Sequence, residues 1–153
     1  MTLEARLVEL DLTLPGPYPP HEPLDAVVVH AGVARTSGQL PRDESGMLVH
    51  PGTLGAGLTV EQGAEAARWC ALNALSVLHA ELGGLDRIER VLTVLGFVAC
   101  APDFLEQPAV IDGASRLLAD VFGAAGRHSR SAIGVAALPR GGAVEIEVAV
   151  ALR

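Results

Sequence analysis

Between Thr59 and Gly84 the hydrophobic pattern changes period, and any fold this chain adopts must place a long helix among strands. Val60, Ala64, Ala67, Ala71, Ala74, Leu75, Leu78 and Leu82 fall on one stripe of a helix with about 3.6 residues per turn. Thr59 and Gln62 are spaced as a capping box at its start, and Gly83 and Gly84 stop it. The stripe is mostly alanine, which lets a helix axis sit close against a sheet. Upstream, "EARLVELDLTL" alternates weakly and reads as a first strand, while "PGPYPPHEP" is too rich in proline for helix or central strand and reads as loop. "AVVVHAGVARTSGQLP" predicts two short strands or one bent strand ending in a turn, and "RDESGMLVHPGTLGAG" predicts a loop. Downstream, "IERVLTVLGFVACAP" reads as a buried strand bounded by Pro102. A second helix is predicted from Pro108 to Ala124, with Val110, Ala114, Leu117, Leu118 and Val121 inward and Gly123 near its end. Ser131 to Leu138 and Val144 to Leu152 close the chain as strands, and the "PRGG" between them is a hairpin signal.

Helices inserted among strands predict an α+β fold, a single sheet with two helices packed on one face, built as one domain over residues 1–153. In the last strand Val144, Ile146, Val148, Val150 and Leu152 share the face turned to the helices, and Glu145, Glu147, Ala149 and Ala151 share the other. In the preceding strand Arg130, Ala132, Gly134 and Ala136 form a face of small residues beyond one arginine. Such a face is too apolar for solvent and is interrupted by charge, so it reads as a subunit interface and predicts a closed homo-oligomer with polar pockets at its seams.

Charge and cysteine usage exclude several classes of function. The formal net charge is −7 and all eleven cations are arginine. A Schiff-base lysine is therefore impossible, and nucleic acid is not an expected partner. No run of about 18 apolar residues suits a membrane span and the N-terminus has no secretory-length apolar stretch, so the expected setting is cytoplasmic. Cys70 and Cys100 lack metal-ligand spacing and read as small buried hydrophobes. His21, His30, His50, His79 and His128 show neither an i, i+4 pair nor an acid at ligand spacing, which disfavours a metal site. "PGTLGAG" lacks the ending of a phosphate loop.

The remaining chemistry gathers in "RHSRS" and the strand after it. Arg130 offers a planar fork suited to a carboxylate, or to a structural acid such as Glu147. Glu145 on the final strand is suited to moving a proton on or off water if held in a partly dry cleft, and to blunting an edge strand if solvated. His128 is placed to act as an acid or base near neutral pH or as a surface hydrogen-bonder. Ser37 in "TSGQ" lacks the surroundings of a hydrolase nucleophile, leaving a turn hydrogen bond to substrate or backbone.

Three segments at matching separations resemble the reactive-intermediate deaminase (RidA/YjgF) family over nearly the whole chain. They are "RTSGQLP", "DFLEQPAVIDGASRLLADVFG" and "SRSAIGVAALPRGGAVEIEVAVAL", the last being the most specific. The resemblance implies a chorismate-mutase-like α+β fold assembled as a homotrimer with clefts between subunits. It also implies cofactor-free hydrolysis of small 2-imino acids to 2-oxo acids and ammonia. By the same resemblance Arg130 corresponds to the substrate-carboxylate clamp, Glu145 to the glutamate that positions or activates water, and Ser37 to the serine lining the cleft. Tyr18 stands as the candidate for the family's cleft tyrosine. Asp112 replaces the usual asparagine of the second helix, Ala132 replaces a common cysteine, and with His128 these departures resemble a divergent branch. Two other readings compete: a non-catalytic trimer binding a small carboxylate metabolite or a protein partner, and a ribonuclease, which fits poorly with an acidic, lysine-free chain.

Overall fold

The computed structural model describes residues 1–153, and its sheet is organised by the strand that ends the chain. That strand, β7 (Val144–Leu152), pairs antiparallel along both edges, with β2 (Val33–Thr36) on one side and β5 (Ile88–Ala99) on the other. With β1 (Val27–His30) outside β2 and β6 (Ser129–Val135) outside β5, the five-stranded order is β1-β2-β7-β5-β6. The expected alternation in β7 holds: Val144, Ile146, Val148 and Val150 are buried on the helix side, and Glu145 and Glu147 point to the helix-free side. β1 and β2 form two strands, turned by Ala31 and Gly32 at φ of 50° and 76° as a two-residue hairpin of this hand requires.

Two helices cover one face. The first, α2 (Val60–Leu82), has the capping box of Thr59 and Gln62 in both directions and a left-handed Gly83 at its end. Its burial is broader than the alanine stripe, because Leu72, Asn73, Ser76 and Val77 are buried as well. The helix is hemmed in by the sheet, by a neighbouring helix and by the loop around Arg42, whose carbonyl accepts a hydrogen bond from Asn73. The neighbour, α3 (Gln107–Phe122), carries all five predicted inward residues in the core and passes into a single 3-10 turn over Gly123–Gly126.

Two expectations are corrected. The predicted first strand is a helix, α1 (Leu3–Glu9): Thr2 caps it by accepting from the Ala5 amide, and Leu7 is its buried residue. The spacing of Leu3, Leu7 and Leu10 serves a helix as well as weak alternation serves a strand, and Glu4 anchors the helix by accepting from the Leu85 amide. α1 packs on α3, so the fold has three α-helices. Second, the last two strands are not a hairpin. β6 runs parallel to β5, and β5 separates it from β7, because a twelve-residue strand with Val91, Val94 and Val98 fully buried needs partners on both edges. The "PRGG" turn spans the end of β5 instead, and Ala99 donates to the Ala143 carbonyl there. The small-residue face of β6 lies on the α3 side of the sheet: Ala132 packs on the core, while Gly134, beside Gln107 and Cys100, and Ala136 are exposed.

The predicted loop 42–57 contains one two-residue strand, β3 (Thr53–Leu54), and runs into a second, β4 (Gly57–Leu58), with which β3 pairs. No helix is long and apolar enough to cross a membrane.

α2 and α3 approach each other at Gly113, where an added Cβ would overlap the Ala64 carbonyl. A backbone carbonyl cannot move aside cheaply. Gly113→Ala gains roughly 1 kcal/mol of helix propensity, but overpacking costs typically ~1–3 kcal/mol, so the collision decides the sign. The variant is expected to unfold at lower denaturant with an unchanged m-value.

Candidate functional site

The segment "TSGQ" is built as a bulge between β2 and β7. Arg35 pairs with Ala149, and the next ladder contact joins Gln39 to Ile146, so three residues of one strand span two of the other. Thr36 repairs the gap, its hydroxyl oxygen accepting from the Val148 amide at 3.1 Å where a carbonyl would otherwise serve. Gln39 closes the bulge through backbone bonds in both directions with Ile146, and its side chain donates to the Ser37 carbonyl at 3.1 Å. Ser37 and Gly38 are left standing out from the ladder. Ser37 donates its hydroxyl proton to the Asp25 carbonyl at 2.6 Å, so its oxygen remains an acceptor. Gly38 lies against the carboxyl group of Glu145, where an added Cβ would sit 2.9 Å from Cδ. The glycine is needed for this approach and not for an unusual φ.

Ser37, Gly38, Gln39, Glu145 and Tyr18 line a cavity of about 150 Å³ together with Arg42 and Asn73. Glu145 is half-buried and belongs to no ion pair. Burial pushes its carboxyl above the usual carboxylate range, and the nearby Glu147 adds to the effect. Tyr18 is fixed by its hydroxyl, which donates to the Asp43 carbonyl at 2.7 Å, and the Arg42 guanidinium stands 5.5 Å from the centre of its ring. Behind β7, burial pushes the Cys70 thiol well up, with Glu145 contributing, so this cysteine is inert as a nucleophile.

The other sequence-predicted residues meet elsewhere. Arg130 lies on the α3 side of the sheet, opposite the face of Glu145, where its guanidinium donates to Asp112 Oδ1 at 2.8 Å and Ser115 Oγ at 3.2 Å. His128 completes the cluster. Its Nδ1–H donates to the Gly126 carbonyl at 2.6 Å, so Nε2 accepts from the Ser115 hydroxyl at 2.9 Å. The six predicted residues therefore divide into two groups within one protomer: Ser37, Tyr18 and Glu145 around the cavity, and Arg130, Asp112 and His128 across the sheet. The pairing of Arg130 with Glu147, one of its two sequence readings, is not formed; the acid it meets is Asp112.

Sequence reading passed over Arg42, Gly38 and Asn73. The signals were a cation directly after "SGQLP" and an amide among the apolar residues of the long helix.

The chain matches, over residues 4–146, the family described as "YjgF/chorismate_mutase-like, putative endoribonuclease". It is 44% identical to protein TCP17 of Trypanosoma cruzi over 97% of this chain and 92% of that protein. Among solved structures, protein Atu1372 of Agrobacterium tumefaciens is 40% identical with a TM-score of 0.89, over 99% of this chain and 92% of that one. A putative endoribonuclease of Shewanella oneidensis is 34% identical with a TM-score of 0.94, over 99% of this chain and the whole of that one. With an α+β sheet of matching architecture and a family match running nearly end to end, the chain belongs to the YjgF/chorismate mutase-like family.

Proposed function

We propose that the Glu145 cavity hydrolyses small reactive 2-imino acids to 2-oxo acids and ammonia. The observation that carries this reading is the half-buried carboxyl of Glu145, raised in pKa and held against the Ser37–Gly38 bulge at the wall of a small polar cavity. As the Glu145 carboxylate takes a proton from water, the water oxygen adds to the C=N carbon. With the substrate as its iminium, addition leaves a neutral carbinolamine. The same carboxyl group returns the proton to the amino nitrogen, the C–N bond breaks and ammonia leaves, and the Glu145 carboxylate takes up the hydroxyl proton as the C=O bond forms. A carboxyl above its usual range is a better base when ionised and holds the proton long enough to pass it on. The Ser37 oxygen, whose own proton is committed to Asp25, is suited to accept an N–H from the substrate iminium. No covalent nucleophile takes part.

The reading includes a homotrimer. Val28 and Ile133, 58% and 45% exposed, stand with Leu95 and Phe97 on the helix-free sheet face, which a subunit contact would cover. A chain with a net charge of −7 and no lysine is a poor match for a polyanion, which favours imine hydrolysis over RNA cleavage.

The test generates 2-iminopropanoate or 2-iminobutanoate in situ and follows its loss against semicarbazide trapping. The protein is expected to speed the loss, and Glu145→Ala is expected to forfeit roughly 10²–10⁴-fold. No acceleration over a range of imino acids, with 2-oxo acids still bound, turns the reading to a binding module. RNA cleavage that survives repurification and vanishes in Glu145→Ala turns it to a ribonuclease. Light scattering is expected to return three times the 15.8 kDa of one chain.

Gly38→Ala separates geometry from stability. The new methyl group meets the flexible end of Glu145, so Tm stays within a degree or two while the displaced carboxyl loses activity on the order of 10²-fold.

Glu145 also predicts a pH effect. Its pKa is higher folded than unfolded, so between the unfolded value of 4.5 and the folded value the native state binds more protons and stability falls as pH rises. Glu145→Gln lacks this loss. Its Tm advantage over the wild type is expected to be absent in acid, to grow as pH rises through that window and then to level off.

A further inference from the structure

The imine hydrolysis proposed above needs a cation for the substrate carboxylate, the part that the family resemblance gives to Arg130. Within one protomer Arg130 and Glu145 stand on opposite faces of the sheet, so one substrate meets both only where two subunits join. The two residues behind the arginine, Ser115 and His128, have no part in the reaction as written. We infer that Ser115 and His128 are positioning residues, which hold the Arg130 guanidinium in one plane so that its open edge takes the carboxylate. The inference rests on the proposed hydrolysis and on Arg130 as its anchor.

The donors of Arg130 are divided in a way that suits this role. Of the guanidinium's several N–H donors the chain engages only those of Nη1, on Asp112 Oδ1 at 2.8 Å and on Ser115 Oγ at 3.2 Å. The edge formed by Nε and Nη2 has no partner in the chain, and it is an edge that can meet a carboxylate with two parallel bonds. Asp112 and Ser115 lie three apart on α3 and share one helix face. A single acceptor would leave the guanidinium plane free to swing about one contact, whereas two acceptors on one nitrogen fix it. With the Arg130 side chain 21% exposed, the cluster is enclosed enough for these bonds to count and open enough for the free edge to be reached.

Ser115 depends in turn on His128. A serine inside a helix commonly donates to the carbonyl one turn back, and its lone pairs turn with it. Here the hydroxyl donates to His128 Nε2 at 2.9 Å, and its oxygen accepts from Arg130 Nη1. His128 can accept there because its Nδ1–H is committed to the Gly126 carbonyl at 2.6 Å, which fixes the tautomer. Gly126 is buried at the end of the 3-10 turn, where an added Cβ would overlap the Leu118 carbonyl, so the turn lies close on α3. Backbone packing thus sets the carbonyl, the carbonyl sets the imidazole, the imidazole sets the hydroxyl, and the hydroxyl sets the guanidinium.

The test compares 2-oxobutanoate with its neutral amide, 2-oxobutanamide, by titration calorimetry on the full chain. The wild type is expected to prefer the acid, and Arg130→Met to lose the preference. His128→Phe keeps a ring without its nitrogens and is expected to reduce the preference by about fivefold or more, as is Ser115→Ala, which reports on the same chain of bonds should His128→Phe not fold. His128→Gln, whose amide oxygen reaches the place of Nε2, is expected to recover most of it. In the Arg130→Met background His128→Phe is expected to change nothing further, because its effect passes through the arginine. A merely structural role would weaken acid and amide alike, and thermal unfolding of each variant shows whether it folds. The inference is overturned if the wild type has no preference for the acid, if the folded His128→Phe or Ser115→Ala variant keeps the full preference, if His128→Gln is no better than His128→Phe, or if His128→Phe costs as much without Arg130 as with it. Imine loss is measured separately on the wild type. Acceleration with a preference unmoved by His128→Phe removes the positioning role and keeps the reaction, whereas the expected preferences without any acceleration keep the positioning role and remove the reaction.

Discussion

The pairing of β7 along both of its edges is the constraint from which the rest of the molecule follows. A strand with neighbours on each side cannot slip by one residue without exchanging its whole buried set for its exposed set. Val144, Ile146, Val148 and Val150 are locked into the core, and Glu145 is thereby fixed on the other face. Because β5 stands between β7 and β6, the register that fixes Glu145 also sends Arg130 to the α3 side, opposite Val94 and in line with Val148. One hydrogen-bonding pattern thus determines which charged side chains share a cavity.

Much of this was legible in local chemistry. The capping box, the glycine stop and the inward residues of α3 are properties of a few neighbouring positions, and the structure has them where the pattern put them. The strands' alternation gave the face of every residue in β7. Long-range pairing was not legible. "PRGG" has the composition of a hairpin turn, yet whether the strands it joins are partners depends on β5, some forty residues away, whose buried length outweighs the local signal. The N-terminal segment failed for a different reason: its leucines satisfy two periods, and the choice was made by bonds from Glu4 and Thr2 and by packing on α3.

The site divided along the same line. Ser37, Tyr18 and Glu145 come together because each is close in the ladder or in the loops flanking it. Arg130, Asp112, Ser115 and His128 form a continuous hydrogen-bonded cluster of their own, with donors and acceptors matched from the guanidinium to the Gly126 carbonyl. A cation and an acid two strands apart in a sheet are neighbours in a one-dimensional reading and opposites in three dimensions. Arg42 was overlooked for the converse reason, since nothing in its immediate sequence announces the tyrosine that lies twenty-four residues earlier and beneath its guanidinium.

Asn73 sits midway along α2, buried at 2% exposure, and spends one amide hydrogen on its own helix and the other on the Arg42 carbonyl. The rim of the cavity is in this way bolted to the most deeply enclosed element of the protein. To swing that rim outward would strand a desolvated amide, a penalty on the order of 1–3 kcal/mol. This wall of the aperture is consequently set before any guest arrives, and little of a guest's affinity is consumed in ordering it.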